Sequence, residues 1–356
     1  MDSLEDLGYS PFFSAQVERF DLVRPGIVPA RIAADGPGIY PLLGCQAPLG
    51  ELSGRLRHEI HGSERPAAGD WVAVADDAER AVIHQVLRRR TAMVRRAADT
   101  EATAQVIAAN VDVICLVTSA NRDLNPRRIE RYLTAVWESG AEPVVVLNKV
   151  DLVADVAPLI DSIAAVALAV PVVQLSALTG TGVDALRAQV GPSRTVGLVG
   201  SSGVGKSSLI NRLVGRDAQQ VSDIREDDAR GRHTTTRREL VLLSGGGVLI
   251  DTPGMRELGL IEDEGGVDTA FADIAAIALG CHFNDCLHEA EPGCAVQAAL
   301  YSGTLSAERL KSYRKLLREI AAAERKRDPV LAANERRRWK TIHKEMRAFS
   351  KADRYR

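Results

Sequence analysis

Aromatic residues are scarce, at 4% of the chain, so any core must rest on Val, Leu, Ile and Ala, which an apolar content of 46% supplies. Long apolar runs are missing as well. The stretch at residues 163–173 falls short of the roughly 20 residues that span a bilayer, and Pro171 interrupts it. The opening Met1-Asp2-Ser3-Leu4-Glu5-Asp6 is acidic and lacks the basic start and apolar stretch of a secretory signal. These absences predict a soluble cytoplasmic protein that does not meet a membrane. Net charge is nearly absent too, at −2, but the small sum conceals an uneven distribution. Residues 305–356 hold 17 Lys and Arg against 7 Asp and Glu, which puts a tail of about +10 behind a body of about −12. That asymmetry predicts a polyanionic partner for the end of the chain. Cysteines number only five, yet three crowd between Cys281 and Cys294. In a cytoplasmic chain such density points to a metal and not to disulfides.

What is present reads as a multidomain protein, in keeping with 356 residues. Residues 1–24 form an extension whose Phe12, Phe13 and Phe20 dock on a surface the sequence does not identify. In residues 25–97, short apolar stretches such as Gly69-Asp70-Trp71-Val72-Ala73-Val74 alternate with turn residues, and no long helical pattern intervenes. That spacing predicts a small β-barrel, and the oligonucleotide-binding (OB-fold) type is one that fits the length. Residues 98–265 change texture. Val111-Asp112-Val113-Ile114-Cys115-Leu116-Val117 is a buried parallel strand by composition. Asn125-Pro126 opens a helix that Gly140 closes. Further strands at residues 143–147, 170–175, 195–199 and 247–250 alternate with helices, the pattern of a doubly wound α/β domain. Residues 266–356 hold the cysteine cluster and then helices.

The α/β segment carries four motifs, each at a predicted strand end. Gly200-Ser201-Ser202-Gly203-Val204-Gly205-Lys206-Ser207 fits the phosphate-binding loop at every fixed position and sits between a strand and a helix, as that motif requires. Its glycines let backbone N–H groups approach phosphate oxygens, and the helix N-terminus adds positive potential. Lys206 is expected on the β- and γ-phosphates and Ser207 on Mg²⁺, with Ser208 beside them. Asn148-Lys149-Val150-Asp151 is a guanine-reading motif. The Asp151 carboxylate can accept from both the ring N–H and the exocyclic amine of guanine, a donor pair that adenine lacks. Lys149 lays its stem on the purine. Ser176-Ala177-Leu178 comes after the next strand and offers backbone N–H to the guanine carbonyl. Asp251-Thr252-Pro253-Gly254 supplies a Mg²⁺-linked Asp251 and a γ-phosphate-sensing Gly254. Together they make the α/β segment a P-loop GTPase domain.

The order is rotated. The base motif and Ser-Ala-Leu precede the phosphate loop and Asp-Thr-Pro-Gly, whereas ordinary GTPases run the other way. All these loops still lie on the carboxyl edge of one sheet, so a circularly permuted chain can assemble the same site. Between phosphate loop and Asp-Thr-Pro-Gly lies Arg230-Gly231-Arg232-His233-Thr234-Thr235-Thr236, the expected first switch, where a threonine ligates Mg²⁺. The glutamine that many GTPases place after Asp-x-x-Gly is missing. Met255 stands there, and it can neither orient water nor move a proton. His233 is the available substitute, against the blander reading of a solvated switch residue.

Cys281-x4-Cys286-x-His288-x5-Cys294 gathers three thiolates and an imidazole within fourteen residues. Cys₃His with every position filled by protein is a structural zinc composition, with no place left for substrate. The permuted motifs, the barrel and this cysteine spacing together resemble the RsgA (YjeQ) family of small ribosomal subunit biogenesis GTPases. The resemblance rests most on Gly231-Arg232-His233-Thr234-Thr235-Thr236, Asp251-Thr252-Pro253-Gly254 and residues 281–294. It implies late maturation of the small ribosomal subunit, rRNA contact, and GTP hydrolysis stimulated by that particle. It also implies one structural zinc on Cys281, Cys286, His288 and Cys294, a catalytic role for His233, and Thr235 as the switch threonine. A monomer is expected. The tail supports the same partner: Arg309, Lys311, Arg314, Lys315 and Arg318 flank an apolar helix face, and Arg336-Arg337-Arg338-Trp339-Lys340 adds an aromatic that can stack on a base. A competing reading keeps the protein an RNA-binding assembly factor in which GTP only sets affinity. A P-loop ATPase or kinase is disfavoured by Asp151.

Overall fold

The computed structural model describes residues 3–77, 79–96, 104–121, 124–215, 239–251, 264–289 and 291–327. They fall into two compact units, Met1–Gly259 and Leu260–Arg356.

In the first unit, helix α1 (Pro11–Asp21) precedes strands β1 (Ile27–Ile32), β2 (Ile39–Leu43) and β3 (Leu49–Leu52), helix α2 (Gly54–Glu59), and strands β4 (Trp71–Ala75) and β5 (Ala81–Val86). The five strands close into a barrel in the order β1-β2-β3-β5-β4. β4 returns antiparallel to β1 from Ala75 opposite Ile27 to Trp71 opposite Arg31, and β3 with β5 is the parallel pair. Alternating residues point inward. Ala30, Ile32, Tyr40, Leu42, Val72, Val74 and Ile83 fill the interior. The predicted OB-fold-like barrel is therefore present.

The anchoring surface of the extension is also visible. Phe13 is fully buried, with its ring 5.1 Å from Phe12 and 5.7 Å from Trp71. α1 thus docks through Phe13 against the β4 tryptophan.

Strands β6 (Ala92–Arg96) and β7 (Ala104–Ala109) form a separate antiparallel ladder that the sequence pattern did not suggest. β7 reads Ala-Gln-Val-Ile-Ala-Ala, with little β-propensity of its own, so its conformation follows from pairing. Next along the chain come β8 (Val113–Ser119), α3 (Pro126–Ser139), β9 (Glu142–Asn148), α4 (Ala157–Ala164), β10 (Val172–Gln174), α5 (Val183–Val190), β11 (Thr195–Val199), α6 (Lys206–Val214), β12 (Glu239–Leu242) and β13 (Val248–Asp251). Their sheet has the order β10-β9-β8-β11-β13-β12. All neighbours are parallel except β12, which runs antiparallel to β13. Every residue of β8 is buried, which explains its unbroken apolar run. The α3 signals act as read: Asn125 Oδ1 accepts from the Arg127 and Arg128 N–H groups, Pro126 opens the helix, and Gly140 ends it at φ 82°. The β12 edge is covered by the barrel, where Leu240 N donates to Ala33 O at 2.8 Å.

The second unit contains α7 (Glu264–Ala270), α8 (Ala272–Ala278), the cysteine loop, α9 (Ala295–Tyr301) and α10 (Ala307–Arg327). Ser306 Oγ caps α10 by accepting from Arg309 N at 3.2 Å. Leu310, Tyr313, Leu316 and Ile320 are buried along one face. Arg309 departs from the expected basic surface. It is buried, paired with both oxygens of Asp273 at 2.7 and 2.8 Å, and lies 4.5 Å from the Phe271 ring centroid.

Candidate nucleotide and metal sites

After β8 the chain fills one side of the sheet with β9 and β10, then returns to the other side with β11. The crevice at this reversal is where open α/β sheets place ligands. The phosphate loop leaves β11 and leads into α6. Gly200 has φ 151° and Gly205 has φ 96°, conformations L side chains rarely adopt. A Cβ on Gly200 would run into the Val117 carbonyl oxygen, and one on Gly205 into Asn148 Nδ2. The glycines are therefore fixed by the approach of β8 and of the base motif as well as by phosphate. Lys206 Nζ donates to Gly200 O at 2.7 Å and Ser201 O at 2.6 Å, folding its ammonium back over the loop. Ser207 and Ser208 are exposed beside it.

Asn148, at the end of β9, is 1% exposed and joins three loops. Its Nδ2 donates to Val204 O of the phosphate loop at 2.8 Å. Its Oδ1 accepts from Lys149 N at 2.8 Å and from Ala177 N at 3.0 Å. Lys149 takes a left-handed backbone (φ 62°) and donates its Nζ to Gly203 O at 2.5 Å. Asp151 is exposed in the short turn beyond it. Ser176 is buried, and its Oγ accepts from Thr179 N at 3.2 Å, which shapes the loop that leaves Leu178 76% exposed. Asp251 closes β13, next to β11. The motifs at residues 148–151, 176–178 and 200–208 are thus drawn together at one edge, with β13 ending on the same edge.

His233, Thr235, Gly254 and Met255 lie outside the described residues, as does the tail run at residues 336–340. One contributor was not legible in the sequence. Arg212 on α6 donates Nε to Ala177 O at 3.0 Å and Nη2 to Leu178 O at 2.6 Å, tying the Ser-Ala-Leu loop to the phosphate-loop helix. Nothing in an exposed helical arginine announces that role beforehand.

In the second unit, Cys281, Cys286, His288 and Cys294 place their ligand atoms within 4.8 Å of one another. Cys281 Sγ lies 3.9 Å from Cys294 Sγ, and His288 Nδ1 lies 3.5 Å from both sulfurs. A tetrahedral ion with ordinary Zn–S and Zn–N bonds needs edges of roughly 3.8 Å between sulfurs and 3.5–3.6 Å from sulfur to nitrogen. The donor set therefore fits such an ion. The surrounding loop is braced by its own hydrogen bonds. Glu291 accepts from Leu287 N at 3.0 Å and Glu289 N at 2.8 Å, and the His288 carbonyl accepts from Gln297 and Arg314. Burial holds the His288 imidazole below its ordinary pKa, which favours the neutral, ligating form. No helix among the described residues is long and apolar enough to cross a membrane.

A family profile described as "RsgA GTPase" matches residues 86–261, and one described as "50S ribosome-binding GTPase" matches residues 195–335. The small ribosomal subunit biogenesis GTPase RsgA of Opitutus terrae is 46% identical across 97% of this chain and 97% of its own length. RsgA 1 of Listeria innocua is 47% identical across 83% of this chain and 84% of its own. Among solved structures, YjeQ from Thermotoga maritima matches with a TM-score of 0.64 at 26% identity, covering 83% of this chain and 99% of that one. YloQ, described as a circularly permuted GTPase, matches with a TM-score of 0.60 at 25% identity, covering 85% and 96%.

Proposed function

Since this chain belongs to the RsgA family of circularly permuted GTPases and is a GTP-hydrolysing enzyme, we propose that it binds the small ribosomal subunit and acts in its late assembly. In this reading it hydrolyses GTP to GDP and phosphate, and the particle stimulates the reaction. The observation that carries the nucleotide half is the Asn148 junction: one buried amide bonds the base motif, the Ser-Ala-Leu loop and the phosphate loop. The particle half is supported by the Opitutus terrae relative named a small ribosomal subunit biogenesis GTPase, which matches over 97% of the chain, barrel and cysteine loop included. The profile whose description names the 50S particle covers only residues 195–335.

In this assignment Asp151 accepts from guanine, Lys149 covers the purine, and the Ser176-Ala177-Leu178 loop presents the Leu178 backbone N–H to its carbonyl, with the Ala177 N–H held by Asn148 Oδ1. Residues Gly200, Ser201, Ser202, Gly203, Val204 and Gly205 wrap the phosphates with backbone N–H groups, with Ser208 beside them. Lys206 exchanges its two loop carbonyls for phosphate oxygens. Ser207, Thr235 and Asp251 are the residues that would hold Mg²⁺, which would supply positive charge to offset that of the phosphates. Gly254 senses the γ-phosphate. His233 orients the attacking water in place of the glutamine that Met255 displaces. The Cys281–Cys286–His288–Cys294 set holds one structural zinc.

The parts divide as residues 1–24, 25–97, 98–265 and 266–356: extension, OB-fold-like barrel, GTPase domain and zinc domain with its basic tail. Barrel and tail meet rRNA, and the protein works as a cytoplasmic monomer without membrane contact. Sedimentation with purified small or large ribosomal subunits tests this reading. Co-sedimentation with small subunits is expected to be stronger with a non-hydrolysable GTP analogue than with GDP. Equal partition onto both subunits, or none onto the small one, would reject it.

A further inference from the structure

Arg31 lies on β1 of the barrel, yet the residue is only 1% exposed and the partners of its guanidinium belong to other parts of the first unit. Nη1 donates to Leu7 O of the extension. Nε donates to Gly69 O at 3.3 Å, just before β4. Nη2 reaches Asn110 O at 3.5 Å, just before β8, and Thr195 Oγ1 at 2.8 Å. The guanidinium carbon is 5.4 Å from the Trp71 ring centroid. Burial lowers its pKa to about 10, against the opposing pull of Asp112 and Asp70, so it stays charged at neutral pH. A cation so deeply buried is costly, and an apolar side chain of similar volume would often stabilise the fold more. What the arginine adds is a fixed register among the elements it bonds.

Thr195 is the first residue of β11, and β11 runs directly into Gly200 of the phosphate loop. All five residues of the strand are buried, with parallel ladders to β8 and β13 on its two sides. The foot of the strand is tightly held: Thr195 N donates to Asp112 Oδ2 at 2.8 Å and Asp112 N returns a bond to Thr195 O at 2.8 Å. Asp112 also pairs with Arg90, which lies just beyond the barrel. Close-packed interiors transmit strain. A displacement of the barrel that reaches Arg31 therefore has a bonded route through Thr195 to the foot of β11, whose far end opens into the phosphate loop.

We propose that Arg31 is a positioning residue that couples the barrel to the nucleotide site, acting through Thr195 and the β11 strand. The coupling rests on the proposed function, in which the barrel meets the small subunit. It predicts that breaking the Arg31–Thr195 bond uncouples particle from nucleotide while leaving the nucleotide site itself intact, because the two flanking ladders still hold β11.

Thr195→Val, Thr195→Ser and Arg31→Lys are compared with the wild type for thermal unfolding, GDP affinity, and kcat and KM for GTP with and without purified small subunits. Thr195→Val keeps the branched shape and loses the hydroxyl. Its KM, GDP affinity and unstimulated turnover should stay within a few-fold of wild type, while the stimulated kcat falls about tenfold, the range of a typical coupling energy. Arg31→Lys should move the same way, and Thr195→Ser should restore stimulation. Folded Thr195→Val and Arg31→Lys proteins that small subunits stimulate as fully as the wild type would overturn the coupling. A wild type that small subunits do not stimulate would instead remove the functional reading, and the coupling with it.

Discussion

Asp151 stands exposed in the single short turn after β9, with its carboxylate open to a ligand. In the proposed role both of its oxygens accept from guanine. Asp151→Asn would replace one acceptor with an amine facing the base's donors. GTP affinity should fall about 10²-fold or more, and xanthosine triphosphate, with a carbonyl where guanine has its amine, should then compete better than GTP. Competition binding checks this, and a variant that kept its preference for GTP would move the base site elsewhere. The same scale shows why some functional residues were readable and others were not. Lys206, Asn148 and Cys281 stand out in the sequence because phosphate, guanine and zinc, their proposed ligands, each demand a residue type at a fixed spacing. Arg212 and Arg31 act through backbone carbonyls and a hydroxyl far away in sequence, and no spacing records such partners. Arg309 misled for a related reason: composition counts its charge, while Asp273 and Phe271 remove that charge from the surface.

At the scale of loops and strands, the nucleotide site depends on three segments converging on one amide. Asn148→Ala strands Val204 O and Ala177 N in a buried place, where each lost partner costs a desolvation penalty. Unfolding free energy should drop by about 2 kcal/mol or more, with guanine nucleotide affinity falling alongside it. Denaturant titration with and without GDP measures both, and an unchanged midpoint would contradict the junction. The cysteine loop makes a separate prediction. Metal analysis of protein purified without added zinc should find one zinc per chain. The Cys281→Ser/Cys294→Ser variant should lose it together with the cooperative unfolding of the second unit, while GDP binding in the first unit persists. A metal-free preparation that unfolds like the wild type would argue against a structural ion. The elements supporting these sites were legible wherever a local signal existed, as at Asn125, Pro126 and Gly140 around α3. The β6–β7 ladder was not, because alanine-rich β7 becomes a strand only through its partner. The burial site of Phe13 was not legible either, since Trp71 lies on a strand 58 positions later in the sequence.

At the scale of the whole molecule, permutation leaves the sheet and its carboxyl-edge loops in place and changes where the chain goes after them. Asp251-Thr252-Pro253-Gly254, which leads back into the sheet in ordinary GTPases, here leads on to the helices and cysteine loop of the second unit. The motif order made this arrangement readable, because each motif names its own strand end. The proposed partner, by contrast, rests on family resemblance and not on any spacing of residues. The hydrolytic step has the least conventional machinery, since Met255 takes the place of a water-positioning side chain and His233 is assigned that work. His233→Ala should leave affinity for GTP and small subunits within a few-fold while lowering stimulated turnover roughly 10²-fold, about 2.7 kcal/mol on the barrier. Thr235→Ala should also shrink the GTP-dependent gain in particle affinity, because it removes a contact to Mg²⁺ and the γ-phosphate. The most direct measurement is multiple-turnover GTP hydrolysis by the wild type alone, with purified small subunits and with purified large subunits. Acceleration by small subunits only, lost in His233→Ala, is the predicted result. Equal rates in all three conditions, or acceleration by large subunits instead, would contradict the proposed function.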